Sequence, residues 1–162
     1  MTSPQYDRLN DVCSKLASFR ERLERRMQLD AAAPADGYLN KRMAEAIHPI
    51  HDHLVTYRDF HAQHTSENGR VDPSQREAFF DLMADADNNE RRLMILCANT
   101  MCRTSNAPGS VRRLSPFFRK VVADESQELR LIHTEIQIII AQDLVQLKRM
   151  PRHLRLLSND VG

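Results

Sequence analysis

The chain has 162 residues, 41% hydrophobic and 28% charged, with 23 lysines and arginines against 22 aspartates and glutamates. That length suits one domain burying most of its apolar surface, and four glycines with 6% aromatics argue against a many-turned β-sandwich. Cys13, Cys97 and Cys102 lack CxxC spacing, no apolar run reaches the roughly 18 residues of a membrane span, and the opening MTSPQYDRLND has no basic segment followed by a hydrophobic one. The expectation is a soluble helical protein of the cytoplasm or another reducing intracellular compartment.

Ser3-Pro4 is the first start signal: a hydroxyl N-cap followed by a proline whose missing N–H costs nothing at that position. Leu9, Val12, Leu16, Phe19 and Leu23 then repeat at spacings of three and four, which lines them on one face of helix one. AAAPADG breaks the pattern, and Asp36 is the expected cap of helix two, whose apolar line is Leu39, Met43, Ile47, Ile50, Leu54 and Tyr57. Pro49 falls inside that line and predicts a kink near residues 46–48 or a break into two abutting helices.

Asn68-Gly69 marks a turn, and Asp72-Pro73 repeats the start signal for helix three, expected to run to about Arg103 with Phe79, Leu82, Met83, Ala86, Leu93, Leu96, Cys97 and Met101 inward. After the loop TSNAPGSVRRL, Ser115-Pro116 opens helix four. Its line is Phe118, Val122, Leu129, Ile132, Ile136, Ile139, Ile140, Leu144 and Leu147, and it ends before Pro151, with a short extension through Leu154 and Leu157. The fold class expected is therefore all-α: a four-helix antiparallel up-down bundle over residues 1–157, with residues 158–162 as a flexible tail.

Alternating helix direction would gather charge at two ends. Arg20, Arg22, Arg25, Arg26, Lys41, Arg42, Arg103, Arg112, Arg113, Arg119 and Lys120 meet at one pole, with Glu21, Glu24 and Glu45 as the main opposing acids. Asp7, Asp11, Glu67, Asp72, Glu77, Asp81, Asp85 and Asp87 gather at the other. Nearly all the positive charge is arginine, whose planar fork grips carboxylate and phosphate in bidentate fashion. The basic pole is the expected partner-binding end, suited to an acidic protein surface or nucleic acid, with Phe117 and Tyr38 as thin aromatic company. The missing base-reading element and stacking platforms tip the expectation toward protein.

Ile47 to His64 holds five of the seven histidines. Helical phase puts His48, His51 and Asp52 on one flank, pairs His53 with Tyr57, and turns His61 and His64 inward or to the rim. A metal- or small-ligand-binding bundle would use His61 and His64 with Asp7, Asp72 or Glu77, but the chain holds a single Glu-x-x-His, Glu45 to His48, where di-iron bundles are built on two. A phosphorelay role for His51 or His53 lacks the basic company that phosphoryl oxygens need. Glu125 and Asp143 fall near the buried line of helix four. They read either as a polar core site or functional carboxylate pair or, as the drift of the 3.6-residue period favours, as boundary positions. Asn88-Asn89-Glu90 reads as a polar layer or the outer face.

No GxSxG, P-loop, GxGxxG or HExxH is present. The expectation is a non-enzymatic interaction or adaptor module without a cofactor. Surplus apolar residues on helix four, Ile138 to Ile140 among them, leave material for a homodimer face.

Overall fold

The computed structural model describes residues 3–29, 34–105 and 116–151, the side chains of 29, 34–38, 97, 99–105 and 118 excepted. Among these residues lie four α-helices: α1 (Pro4–Leu29), α2 (Pro34–His64), α3 (Arg76–Ser105) and α4 (Pro116–Arg149). They form the expected bundle. Packing runs round a ring in which α1 lies on α2, α2 on α3, α3 on α4 and α4 on α1.

Two of the starts show how local chemistry satisfies the first amides. Ser3 Oγ accepts from the Tyr6 amide at 3.2 Å, and the Asp7 amide reaches Ser3 O at 3.1 Å. Asp72 caps its own start by accepting from the Ser74 amide at 3.0 Å, which also holds its carboxyl below the usual aspartate range. The Asp72 cap opens a single 3-10 turn, Pro73–Gln75, so α3 begins three residues later than the start signal implies. Helix α2 begins at Pro34, ahead of Asp36.

Pro49 lies within one uninterrupted α2, so the break is not taken. It is exposed, and the carbonyl it leaves without a donor belongs to exposed Glu45, where water can replace the lost bond. Ile47 and Ile50 on either side are buried and hold both halves of the helix to the same core.

The core follows the two expected lines of α1 and α2 residue for residue, from Leu9 to Leu23 and from Leu39 to Tyr57. Each fully buried Leu, Ile or Phe contributes roughly 1.5–3 kcal/mol relative to exposure. On α3, Phe79, Met83, Ala86 and Leu93 are buried, with Leu82 and Leu96 partly so. The expected core positions Cys97, Met101 and Phe118 lie outside the described side chains. On α4, Val122, Leu129, Ile132, Ile136, Ile139 and Leu147 are buried, but Leu144 is exposed, because one turn beyond Ile140 the phase has rotated onto the outer flank.

The α2–α3 link is a tight loop. Gly69 adopts φ +84°, a left-handed conformation that a side chain would strain. Thr65 and Val71 form an isolated antiparallel bridge, and Gln146 of α4 clamps the loop by donating to Gly69 O at 3.0 Å and accepting from the Val71 amide at 2.6 Å. The loop at 106–115, the extension through Leu154 and Leu157, and the tail lie outside the described residues. No helix of the described residues is long and apolar enough to cross a membrane.

Candidate functional site

Antiparallel packing brings the end of α1 against the starts of α2 and α4. Arg26 Nε donates to Asn40 Oδ1 at 3.1 Å on α2, while Arg22 Nη2 donates to Glu128 Oε1 at 2.7 Å on α4. Arg22, Arg25 and Arg26 thus lie toward the end where α2 and α4 begin, the end that carries Lys41, Arg42, Arg119 and Lys120, whereas Arg20 meets α2 midway along its length at His51 and Asp52. Arg103 is at the end of α3 with its side chain outside the described set, and Arg112 and Arg113 lie in the undescribed loop.

Most of these arginines are engaged by the protein's own acids. Arg26 Nη2 stands 2.6 Å from Glu125 Oε1, and Arg22 Nε lies 3.9 Å from Glu125 Oε2. Arg20 reaches Asp52 Oδ1 at 3.1 Å, Arg25 pairs with Glu21 at 2.9 Å, and Arg42 approaches Glu45 at 3.9 Å. Glu125, Glu128 and Asp52 are not among the opposing acids that the sequence places at this pole, so its free positive charge is smaller than a residue count suggests. Lys41 and Lys120 are exposed with no ion pair among the described residues, and Phe117, beside Arg119 and Lys120, is 76% exposed.

Four of the five clustered histidines are held by polar neighbours. His48, His51 and Asp52 do share a flank, and Arg20 gathers them, with Nη1 2.7 Å from His51 Nδ1 and Nη2 2.9 Å from His48 Nδ1. Burial and the adjacent Arg20 guanidinium both push the His51 pKa down. His53 Nε2 donates to Leu82 O on α3 at 3.1 Å, and its ring meets Tyr57 edge-on at 6.5 Å between centroids.

His61 is sealed in the core. Its Nε2 donates to Asp143 Oδ2 at 2.8 Å, and its Nδ1 lies 2.9 Å from Thr65 Oγ1. The Tyr57 hydroxyl donates to the same Asp143 oxygen in a very short bond, while Gln5 Nε2 donates to Asp143 Oδ1 at 2.9 Å and to Ile139 O at 3.1 Å. Burial, followed by the Asp143 carboxylate alongside, raises the Tyr57 pKa well above the ordinary phenol value. Both His61 nitrogens are occupied, and its carboxylate partner is Asp143 rather than Asp7, Asp72 or Glu77. His64 is half-buried against Phe60, with ring centroids 5.1 Å apart. Among the described residues no group of three His, Cys, Asp or Glu is placed to hold a metal.

Asp143 and Glu125 are therefore core residues, not boundary positions. Glu90 is one as well, with Oε1 2.5 Å from His133 Nε2 across the α3–α4 contact. The face of α4 that looks into the bundle thus carries three polar layers, each tied to a different helix set. Cys13 is buried, and burial pushes its thiol up to about 11, far from a reactive thiolate. A groove of about 580 Å³ lies between the α2–α3 loop and the end of α4, with Arg70 and Arg149 on its rim.

Compared with protein-family models, with curated proteins and with solved structures, the chain matches none.

Proposed function

We propose that this protein is a non-enzymatic helical interaction module whose cationic pole docks on an acidic protein surface. The observation that carries the reading is Phe117, a large aromatic side chain 76% exposed at the start of α4, in the same turn as Lys120 and at the pole where Lys41 also stands without an ion pair. An exposed aromatic with an unpaired lysine one turn along the helix fits the anchor-and-rim layout of a protein contact. The polar groups that an enzyme would need are directed elsewhere: His61, Asp143 and Tyr57 face one another inside the core, closed to substrate.

Arg22 and Arg26 are poor probes of this reading, because they hold the buried Glu125 and their reversal would unfold the pole. Phe117→Ala and Lys120→Glu avoid that problem. Titration with an acidic peptide should show each of them weakening binding by about tenfold while the melting temperature stays within a few degrees of the wild type. A single-stranded oligonucleotide bound more tightly than the peptide would transfer the role to nucleic acid. Binding that ignores both substitutions would leave the pole without a role.

A further inference from the structure

The outer surface of α4 carries a line of large apolar side chains that the bundle does not use. Leu131 is 62% exposed, Ile138 41% and Val145 49%. Successive members are seven residues apart, and by helical phase they lie on a different face from buried Ile132, Ile136, Ile139 and Asp143. Thr134 and Ala141 fill the intervening places on the same line. The Thr134 hydroxyl bonds back to Arg130 O at 3.1 Å, which satisfies its polar atom within the helix. A seven-residue apolar repeat on the solvent side of a helix is the pattern of a seam that meets another helix.

We infer that this seam receives α4 of a second copy of the chain, in parallel, forming a two-fold dimer. The charges flanking it choose both occupant and direction. Arg130 borders the seam on the α3 side and Glu135 on the α1 side, and neither has an ion pair among the described residues. In a parallel two-helix contact the residue before one apolar position faces the residue five places later on the partner helix, so Arg130 meets Glu135 of the other copy, twice by symmetry. In the antiparallel alternative each flank would face the same flank of the other copy, so Arg130 would meet Gln137 or Leu144 and could not reach Glu135. Parallel pairing also puts both cationic poles at one end, so a partner with two acidic patches would be held twice; that consequence alone rests on the proposed function.

Sedimentation of the full chain tests the dimer without any ligand. The wild type should sediment as a concentration-dependent dimer, and Leu131→Gln with Ile138→Gln should raise its dissociation constant at least about tenfold. The same double variant should keep the wild-type helical circular dichroism, since both side chains are solvent-facing. Direction is read from two charge variants. Arg130→Glu and Glu135→Arg should each dimerise poorly alone, and an equimolar mixture should restore dimers, because every flanking contact is then between opposite charges. A wild type that stays monomeric at the highest concentration reached overturns the proposal. So does an equimolar mixture of the two charge variants that dimerises no better than either alone, since Arg130 and Glu135 then do not face each other.

Discussion

Glu125 and Asp143 sit about five turns apart on α4, at nearly the same helical phase, so both carboxylates are carried into the bundle. The two ends of the helix treat them differently. Glu125 is met by Arg26, whose contacting nitrogen is buried, and by Arg22, which stays nearly half in water and links the site to solvent and salt. Asp143 is met by the Tyr57 hydroxyl, the Gln5 amide and His61, compact groups that are themselves buried. One end is an open ionic arrangement that can exchange partners. The other is a closed hydrogen-bonded plug that fixes which turns of α1, α2 and α4 face one another.

Removing the acceptor of the plug should have the largest effect. Asp143→Ala strands three buried donors, and a loss of about 3–5 kcal/mol is expected in urea denaturation. A loss below about 1 kcal/mol would mean that the cluster relaxes toward water and is no plug. Glu125→Gln should cost less, about 1–3 kcal/mol, since Arg22 and Arg26 can turn outward, and adding salt should narrow its gap from the wild type. Equal costs at both ends would erase the contrast.

How much of this is readable in the sequence divides along the same line. The apolar positions of α1 and α2 are legible to the residue, because period and punctuation agree there, and the flank shared by His48, His51 and Asp52 comes from spacing alone. The polar layers are not. Whether Glu125, Asp143 and Glu90 face inward depends on finding a donor on another helix, and Gln5, Tyr57, Arg26 and His133 are separated from them by 43 to 138 positions in the chain. An acidic residue at a core phase reads as drift, although a buried tyrosine and histidine in the same register are there to meet it. Counting basic residues overstates the charge of the pole for the same reason, since Glu125 and Glu128 must be set against Arg22 and Arg26.

Tyr57→Phe sharpens the contrast more gently. It should cost about 1–2 kcal/mol near neutrality, because one donor is lost and no buried group becomes larger. Its pH signature is distinctive. A phenol whose folded pKa is raised keeps its proton longer in the folded than in the unfolded state, so its stabilising contribution is complete below about pH 10 and declines above it. The wild type should therefore lose stability more steeply than Tyr57→Phe as pH rises past that point. Parallel curves for the two proteins would argue against a sealed hydroxyl.

The smallest expected effect lies midway along α2. His51, with its pKa lowered by burial and by Arg20, should titrate below 6.5 in an NMR pH series, and Arg20→Gln should move its midpoint upward. A depressed histidine stabilises the fold above its unfolded pKa and loses that contribution as pH falls through its folded value. Stability should therefore decline slightly on acidification from neutral pH, and less in the Arg20→Gln protein. A His51 midpoint above 6.5 would show that Asp52 governs the site instead.

The central claim is that the open, cationic end of the bundle is its working end. The most direct measurement is the affinity for an acidic peptide as a function of salt, for the wild type and for Lys41→Glu with Lys120→Glu. The account predicts that log affinity falls steeply with log salt in the wild type and clearly less in the variant. A slope near zero, or the same slope in both proteins, would contradict it.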